Sequence, residues 1–240
     1  MRATDGTQAN IRLTNFASGA ELAETLADRV ADTLAAAIAA HGQATLAVSG
    51  GNTPKAFFAA LSKRAIAWDK VTVTLVDERM VPPAHERSNH RLASLFLLQN
   101  RAAEAGFVPL YKSNGDAADV AQSASEAIDA LALPFDVVVL GMGTDGHTAS
   151  FFPGGTTLGA VTDPACRQSV MPIEAPDAGE PRLTLTLPRI VEAGLVALHI
   201  EGEQKKTVLD KALSPGPEAE MPVRSVLRHA RTPVEIYWAP

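Results

Sequence analysis

The segment ATLAVSGGNTPKAFFAAL, residues 44–61, decides the fold of this chain. It begins with a short apolar run, Ala44–Val48, continues through a pair of glycines, and ends in a stretch whose apolar residues Phe57, Phe58 and Leu61 have helical spacing. A strand, a glycine turn and a helix in this order form the repeating unit of parallel α/β sheets. The segment therefore predicts a chain folded around a parallel sheet.

The alternation of strands and helices continues on both sides of this segment. Upstream, Ser18 and Glu21 have the spacing of a capping box, and apolar residues then recur every four positions until Gly42 ends the pattern. Further strands are predicted at residues 71–76, 135–140, 183–187, 195–200 and 234–238, and further helices at 88–100, 117–131, 205–213 and 223–229. This order predicts an α/β fold with a doubly wound, mainly parallel Rossmann-like sheet and helices on both faces.

Length and composition fit one domain. A chain of 240 residues with 46% hydrophobic content can bury one sizeable core, so we expect a single domain over 1–240, with 1–10 as a loose N-terminal tail. The segments 152–180 and 214–222 contain several prolines and glycines. They are either lids or surface connections.

Charge and cysteine content exclude several classes of protein. The net charge of −6 argues against nucleic-acid binding, which needs clustered Lys and Arg. No apolar run approaches the 18 or so residues of a membrane span, and the first residues lack a signal-peptide core. The single cysteine, Cys166, has no partner for a disulfide or a metal site and is interpreted as inert. We therefore expect a cytoplasmic protein that binds neither membranes nor nucleic acid.

The first candidate site follows the strand that ends at Val48. Ligands of open parallel sheets gather at the carboxyl ends of strands, near the topological switch point. In SGGNTP the two glycines let backbone N–H groups face an anion, and the helix that follows begins with partial positive charge. Phosphate binding is one interpretation, and a plain tight turn is the other. The candidate phosphate-binding residues are Ser49, Gly50, Gly51, Asn52 and Thr53.

A second candidate site follows the strand at 71–76. Asp77, Glu78 and Arg79 are consecutive charged residues at a strand end, where turns more often use Gly, Asn or Ser. They could hold a polyhydroxylated ligand or form a structural ion pair. His85 and His90 have no metal-ligand spacing and are predicted to lie on the surface.

The third candidate site is the glycine-rich segment after the strand that ends at Leu140. Its glycines form a turn that presents Asp145 and His147 at the sheet edge. A histidine there can accept a proton from water during attack on a carbonyl, although a single histidine is often structural. The G-x-G of this segment lacks the third glycine of a dinucleotide fingerprint, which excludes NAD binding.

Four motifs in this order carry a family resemblance. They are SGGNTP at 49–54, VDER…VP…SN at 76–89, GMGTDGHTASFFPG at 141–154 and RLTLTLP at 182–188. Together they resemble the 6-phosphogluconolactonase family, a branch of the glucosamine-6-phosphate isomerase and lactonase superfamily, from about residue 20 to 238. The resemblance implies a modified Rossmann-like sheet without a metal or an organic cofactor. It also implies hydrolysis of 6-phospho-D-glucono-1,5-lactone to 6-phospho-D-gluconate in the oxidative pentose phosphate pathway, with the phosphorylated lactone as binding partner and dehydrogenases of the pathway as neighbours.

The resemblance also assigns catalytic roles. His147 activates the attacking water, and Asp145 belongs to the same catalytic motif. Beyond the resemblance, we expect Arg79 to contact the lactone oxygens or to stabilise the developing oxyanion, with Asp77 orienting it.

Phosphate binding is assigned to the loop after Val48 together with cations from late in the chain. The matching cations are Arg182 and Lys205, with Lys206 as the alternative to Lys205. A guanidinium can grip phosphate with two hydrogen bonds, and an ammonium acts as a point charge.

Two other functions fit parts of the sequence. Glucosamine-6-phosphate deaminases share the glycine loop and the DGH motif, but the resemblance places a glutamate five residues after their histidine, where this chain has Phe152. An aromatic ring cannot replace a carboxylate in a proton relay, which favours the lactonase. A sugar-phosphate sensor of transcription would need a DNA-binding module, and the residues before Ala44 predict one helix and a short tail.

Overall fold

A computed structural model describes residues 10–112, 115–176 and 178–240. In these residues the main sheet has seven strands, and every pair of neighbours in it is parallel. In spatial order the strands are β1 (Ile11–Asn15), β10 (Val234–Ala239), β9 (Leu195–Glu201), β6 (Val137–Leu140), β2 (Ala44–Val48), β3 (Val71–Leu75) and β5 (Gly106–Val108). The predicted α/β class is confirmed.

Helices connect the strands. They are α1 (Gly19–His41), α2 (Lys55–Leu61), α3 (Asn89–Phe96), α4 (Ala117–Asp129), α5 (Leu158–Val161), α6 (Leu187–Val191), α7 (Glu203–Leu213) and α8 (Val223–His229). Every residue of β2 and β6 is buried, so the centre of the sheet is covered on both faces. None of the helices in the described ranges is both long enough and apolar enough to span a lipid bilayer.

Helix α1 begins and ends where its sequence predicts. The Ser18 hydroxyl accepts the Glu21 N–H at 3.2 Å, and the Glu21 carboxylate accepts the Ala17 N–H at 3.1 Å. Gly42 has a φ of 79° and donates its N–H to the Ile38 carbonyl at 2.8 Å. These contacts satisfy backbone groups that the helix termini leave unpaired.

The direction in which successive strands are added to the sheet reverses between β2 and β6. Strand β2 pairs with β3 on one side and with β6 on the other, and Val48 is level with Leu75 and Val139. The chain leaves β2 toward β3 and β5, and leaves β6 in the opposite direction toward β9 and β10. The loops 49–54 and 141–147 therefore border one crevice at the topological switch point.

A second sheet lies outside the parallel one. It is antiparallel, with the order β4 (Asp77–Arg79), β8 (Arg182–Leu185) and β7 (Val170–Ile173). The strand predicted at 183–187 exists, but it begins one residue earlier and belongs to this small sheet. A hydrophobic pattern reports burial and not the partner strand, so the sequence alone did not separate the two sheets. The segment 152–180 also contains β7 and α5 rather than being a plain connection.

The loose N-terminal tail over 1–10 stays a prediction, and the strand that follows it was not predicted from the sequence. Residues 1–9 lie outside the described residues, but the Asn10 carbonyl accepts the Val234 N–H at 2.9 Å. Strand β1 then pairs with β10 at the sheet edge, and four of its five residues are exposed. Only Ile11 and Leu13 alternate with polar residues in this strand, and so short a pattern does not distinguish a strand from a loop.

Segment 214–222 is fixed to its surroundings by one buried cation. The guanidinium of Arg224 donates hydrogen bonds to the carbonyls of Lys211 at 2.8 Å, Ala212 at 3.1 Å and Pro217 at 3.0 Å. The Arg224 side chain thus joins the end of α7, the connecting segment and α8.

Replacing Arg224 by methionine should lower the free energy of unfolding by about 2–4 kcal/mol, because several charged hydrogen bonds are lost inside the protein. Urea denaturation measures this change. Arg231→Met is the matched control, since that arginine is 70% exposed and pairs with Glu192 at the surface. Equal stability losses in the two variants would contradict the assigned role.

Candidate active site

The crevice at the switch point contains a cavity of about 300 Å³. Its walls include most of the site residues predicted from the sequence: Ser49, Gly50, Gly51, Asn52, Thr53, Asp77, Arg79, His147, Arg182 and Lys205. Its walls also include Arg87, Asn89, Met142, Ala178 and His199, which the sequence did not single out as site residues. The residues described contain no group of three or more His, Cys, Asp or Glu side chains placed to hold a metal ion.

The imidazole of His147 is fixed by Asp145, which lies behind it rather than on the cavity wall. Nδ1 of His147 lies 2.5 Å from Oδ1 of Asp145, and the His147 backbone N–H donates to the same oxygen at 3.1 Å. Partial burial acts to raise the pKa of Asp145, but the hydrogen bonds and charge of His147 outweigh it and lower that pKa. An ionised Asp145 favours the proton on Nδ1 and leaves Nε2 as a proton acceptor.

Glycines allow this loop to fold closely around the histidine. A Cβ atom on Gly143 would lie 2.2 Å from the His147 ring. Gly146 has a φ of 81°, in the left-handed region, and its carbonyl accepts the Val223 N–H at 2.9 Å. The first residue of α8 therefore supports the loop.

An aromatic ring covers the other side of the histidine. The ring centres of Phe152 and His147 are 4.5 Å apart, with an angle of 42° between the planes. The Arg182 guanidinium lies 5.6 Å from the centre of the Phe152 ring. At the position where the family resemblance places a glutamate in the deaminases, this chain therefore has an apolar ring against the imidazole.

Asp77 does not orient Arg79, contrary to the sequence interpretation. Its carboxylate accepts hydrogen bonds from Ser150 Oγ at 2.7 Å and from Asn89 Nδ2 at 3.3 Å, and lies 4.0 Å from Arg182 Nη1. Residues 77 and 79 lie on the same face of β4, and residue 78 on the other, because side chains alternate along a strand. The Asp77 carboxylate is nevertheless occupied by Ser150 and Asn89 rather than by Arg79. Asp77 instead joins β4 to the loop after His147 and to α3.

Glu78 fastens the start of α3 rather than facing the cavity. Its carboxylate accepts the backbone N–H groups of Arg79, Asn89 and His90 at 2.7–2.8 Å and the Ser88 hydroxyl at 3.1 Å. Burial raises the pKa of Glu78, and these hydrogen bonds oppose the rise. Glu78 is therefore part of the scaffold.

The sequence predicted that His90 lies on the surface, but this prediction is wrong. His90 is half-buried, with its ring centre 4.5 Å from that of Phe107, and burial lowers its pKa. His85 is exposed, as predicted. The difference arises because Glu78 fixes the backbone at residue 90, so that the His90 ring packs against β5.

Guanidinium groups form one wall of the cavity. Arg79 Nη1 donates to the Arg87 carbonyl, Arg87 pairs with Glu180 at 3.0 Å, and Arg182 Nη2 donates to the Ala178 carbonyl at 2.5 Å. Nε of Arg79 is buried and has no hydrogen-bond partner among the described residues. Burial, with the neighbouring arginines, lowers the pKa of Arg182. This wall favours an anionic ligand or a developing negative charge.

Lys205 is the lysine that faces the glycine loop. Its Nζ donates to Thr53 Oγ1 at 3.3 Å, whereas Lys206 Nζ pairs with Asp210 at 2.6 Å on the helix surface. Burial lowers the pKa of Lys205, and the charge of Glu201 opposes that shift. The sequence left open which of the two lysines reaches the glycine loop. The orientation of helix α7 places Lys205 there and Lys206 on the helix surface.

Comparison with known proteins identifies the class. Residues 17–238 match the model of the family described as glucosamine-6-phosphate isomerases/6-phosphogluconolactonase. The chain therefore belongs to this family of α/β proteins.

Three similar proteins, two compared by sequence and one by structure, are all 6-phosphogluconolactonases. The chain is 59% identical to the 6-phosphogluconolactonase of Rhizobium meliloti (strain 1021) over 94% of this chain and 97% of that protein. It is 56% identical to the 6-phosphogluconolactonase of Mesorhizobium japonicum over 94% of each chain. A crystal structure of a 6-phosphogluconolactonase from Shewanella baltica OS155 matches with a TM-score of 0.94 and 37% identity, covering 98% of this chain and 100% of that one. The chain is thus similar to 6-phosphogluconolactonases over nearly its whole length.

Replacing Gly143 by alanine should lower activity by about a hundredfold or more, because the new Cβ would displace the His147 ring, and a displacement of about 1 Å can have this effect. Steady-state kinetics and thermal unfolding measure activity and folding. Gly159→Ala is the matched control, since a Cβ at that position has no heavy atom within 4 Å. A fully active G143A protein would show that the ring position is not critical.

Proposed function

We propose that this chain hydrolyses 6-phospho-D-glucono-1,5-lactone to 6-phospho-D-gluconate with water activated by His147. The observation that carries the proposal is the imidazole held through Nδ1 by Asp145 at the wall of a cationic cavity. The similarity to 6-phosphogluconolactonases supports the choice of substrate.

The reaction needs one group that accepts and returns a proton. Nε2 of His147 takes a proton from water as the water oxygen bonds to C1 of the lactone, and the carbonyl electrons move onto oxygen. The tetrahedral intermediate then breaks the bond between C1 and the ring oxygen. The imidazolium returns the proton to that oxygen, which becomes the C5 hydroxyl.

Arg79 is proposed as the group that stabilises the oxyanion. Arg79 lines the cavity, and its buried Nε has no hydrogen-bond partner among the described residues, so its guanidinium keeps an N–H donor that the protein itself does not use. Donors fixed before the reaction stabilise charge that develops in the transition state. Asp77 contributes by holding the scaffold of this wall.

The phosphate is proposed to bind at the glycine loop. Residues Ser49 to Thr53 line the cavity beside Lys205, and Arg182 supplies a second positive charge from the opposite sheet. Binding the phosphate far from C1 would position the ring, so that remote binding energy places the carbonyl beside His147.

We further propose that this step belongs to the oxidative pentose phosphate pathway in the cytoplasm. A dehydrogenase that oxidises a sugar phosphate would supply the lactone, and another dehydrogenase would consume the product acid.

The direct test compares two reactions of the purified protein. Proton release from freshly prepared lactone should exceed the spontaneous background, whereas ammonia release from glucosamine 6-phosphate should be negligible, because Phe152 cannot act as the carboxylate of a proton relay. Efficient ammonia release would overturn the assignment to the lactonase branch. Absence of lactone hydrolysis by the folded protein would overturn the proposed function itself.

His147→Ala should lower turnover of the lactone by about two to four orders of magnitude, the usual contribution of a general base. Circular dichroism should show an unchanged fold, since the side chain is partly exposed. The control is His41→Ala, an exposed histidine at the end of α1. Near-normal turnover in folded H147A would require another base.

A further inference from the structure

A second histidine lies at the cavity and has no part in water activation. His199, on strand β9, is 2% exposed and forms part of the cavity wall. Its Nε2 lies 2.9 Å from Oε1 of Glu201, and its Nδ1 is buried without a hydrogen-bond partner among the described residues. A buried unpaired nitrogen is costly, so an apolar residue would be favoured here if packing were the sole requirement.

The carboxylate of Glu201 is enclosed on two sides. His199 holds Oε1, while Oε2 lies against the first residue of α1, where a Cβ on Gly19 would be 2.8 Å from that oxygen. The N-terminus of a long helix carries partial positive charge, which stabilises a carboxylate beside it. Glu201 therefore has a defined position between β9 and α1.

The charge of Glu201 acts on the pKa of Lys205, although the two side chains do not form an ion pair. The carboxylate opposes the effect of burial on the Lys205 pKa, and Lys205 in turn lowers the pKa of Glu201. Yet no carboxylate in the described parts of the chain lies within 4.0 Å of the ammonium, which instead donates to Thr53 of the glycine loop. An ammonium paired directly with a carboxylate would have fewer N–H groups for an incoming anion.

We propose that His199 is a positioning residue for the phosphate end of the site. By holding Glu201 in a hydrogen bond, it keeps the carboxylate away from Lys205 and leaves the ammonium available to a phosphate monoester. This inference rests on the proposed function, because it deepens the role given there to Lys205 and the glycine loop.

The test uses variants that differ in the ability to donate to Glu201. H199L removes the donor and keeps an apolar side chain beside Phe57, whose ring centre lies 6.2 Å from that of His199. H199Q retains an N–H donor at a similar distance from the backbone. H90L is the matched control, because the Nδ1 of His90 is also buried and unpaired, but His90 does not line the cavity.

Binding is measured by calorimetric titration with 6-phospho-D-gluconate and with inorganic phosphate. We expect H199L to weaken both by about tenfold, corresponding to about 1.4 kcal/mol, while H199Q and H90L stay within about threefold of the parent protein. KM for the phosphorylated lactone should rise by the same factor in H199L with little change in kcat. Hydrolysis of unphosphorylated glucono-1,5-lactone should be unaffected, which a general loss of structure would not produce.

A double variant tests whether His199 affects phosphate binding through Glu201. Removing the charge of Glu201 in H199L/E201Q should restore the affinity for phosphate, because an amide does not neutralise Lys205. Unchanged affinity in folded H199L, or no restoration in the double variant, overturns the inference. If H199L does not fold, H199N, whose amide is too short to reach Glu201, should show the same loss.

The titrations separate this inference from the proposed function. They compare phosphate binding among variants whether or not the parent protein hydrolyses the lactone. An inactive parent with weakened binding in H199L contradicts the proposed reaction alone. An active parent with tight binding in H199L contradicts the role of His199 alone.

Discussion

The parallel pairing of β2 with β6 is the constraint on which the rest of the site depends. Because the strands run in the same direction, both end at one edge of the sheet, with Val48 level with Val139. The chain then leaves the two strands in opposite directions, which opens a crevice between the loops. A slip of one residue in this register would turn the side chains of β6 to the other face and separate His147 from the glycine loop.

The small antiparallel sheet contributes the charged wall of that crevice. Pairing of β4 with β8 brings residue 79 level with residue 182, so that two arginines from distant parts of the chain become neighbours. Charged groups inside a protein are tolerated when they are hydrogen-bonded, and the carboxylates of Asp77 and Glu78 each accept several bonds. The carboxylates therefore fix the wall, and the arginines are left to face a ligand.

Protonation in the site follows from where the carboxylates lie. Asp145, two residues before His147, holds Nδ1, while the ring of Phe152 covers another side of the imidazole. A single carboxylate contact at Nδ1 leaves Nε2 as an acceptor, which suits a step in which one water loses one proton. Moving protons between several substrate atoms, as in isomerisation of an amino sugar, requires a further acid or base near the histidine. The same fold can thus support different reactions through a few side chains.

The sequence by itself determined the α/β class, the helix capped by Ser18 and Gly42, and the loops that line the cavity. Glycine turns, caps and hydrophobic periods act over a few neighbouring residues, so they can be read along the chain. It did not reveal the edge strand β1, the separate small sheet, the partners of Asp77, or the positions of Arg87 and His199 at the cavity. The tertiary structure decided these features because each depends on residues far apart in sequence: Arg79 meets Arg182 only through strand pairing, and Lys205 meets Thr53 only when α7 packs beside the loop. Local sequence fixes which groups are available, and the long-range register of the strands fixes which of them share a cavity.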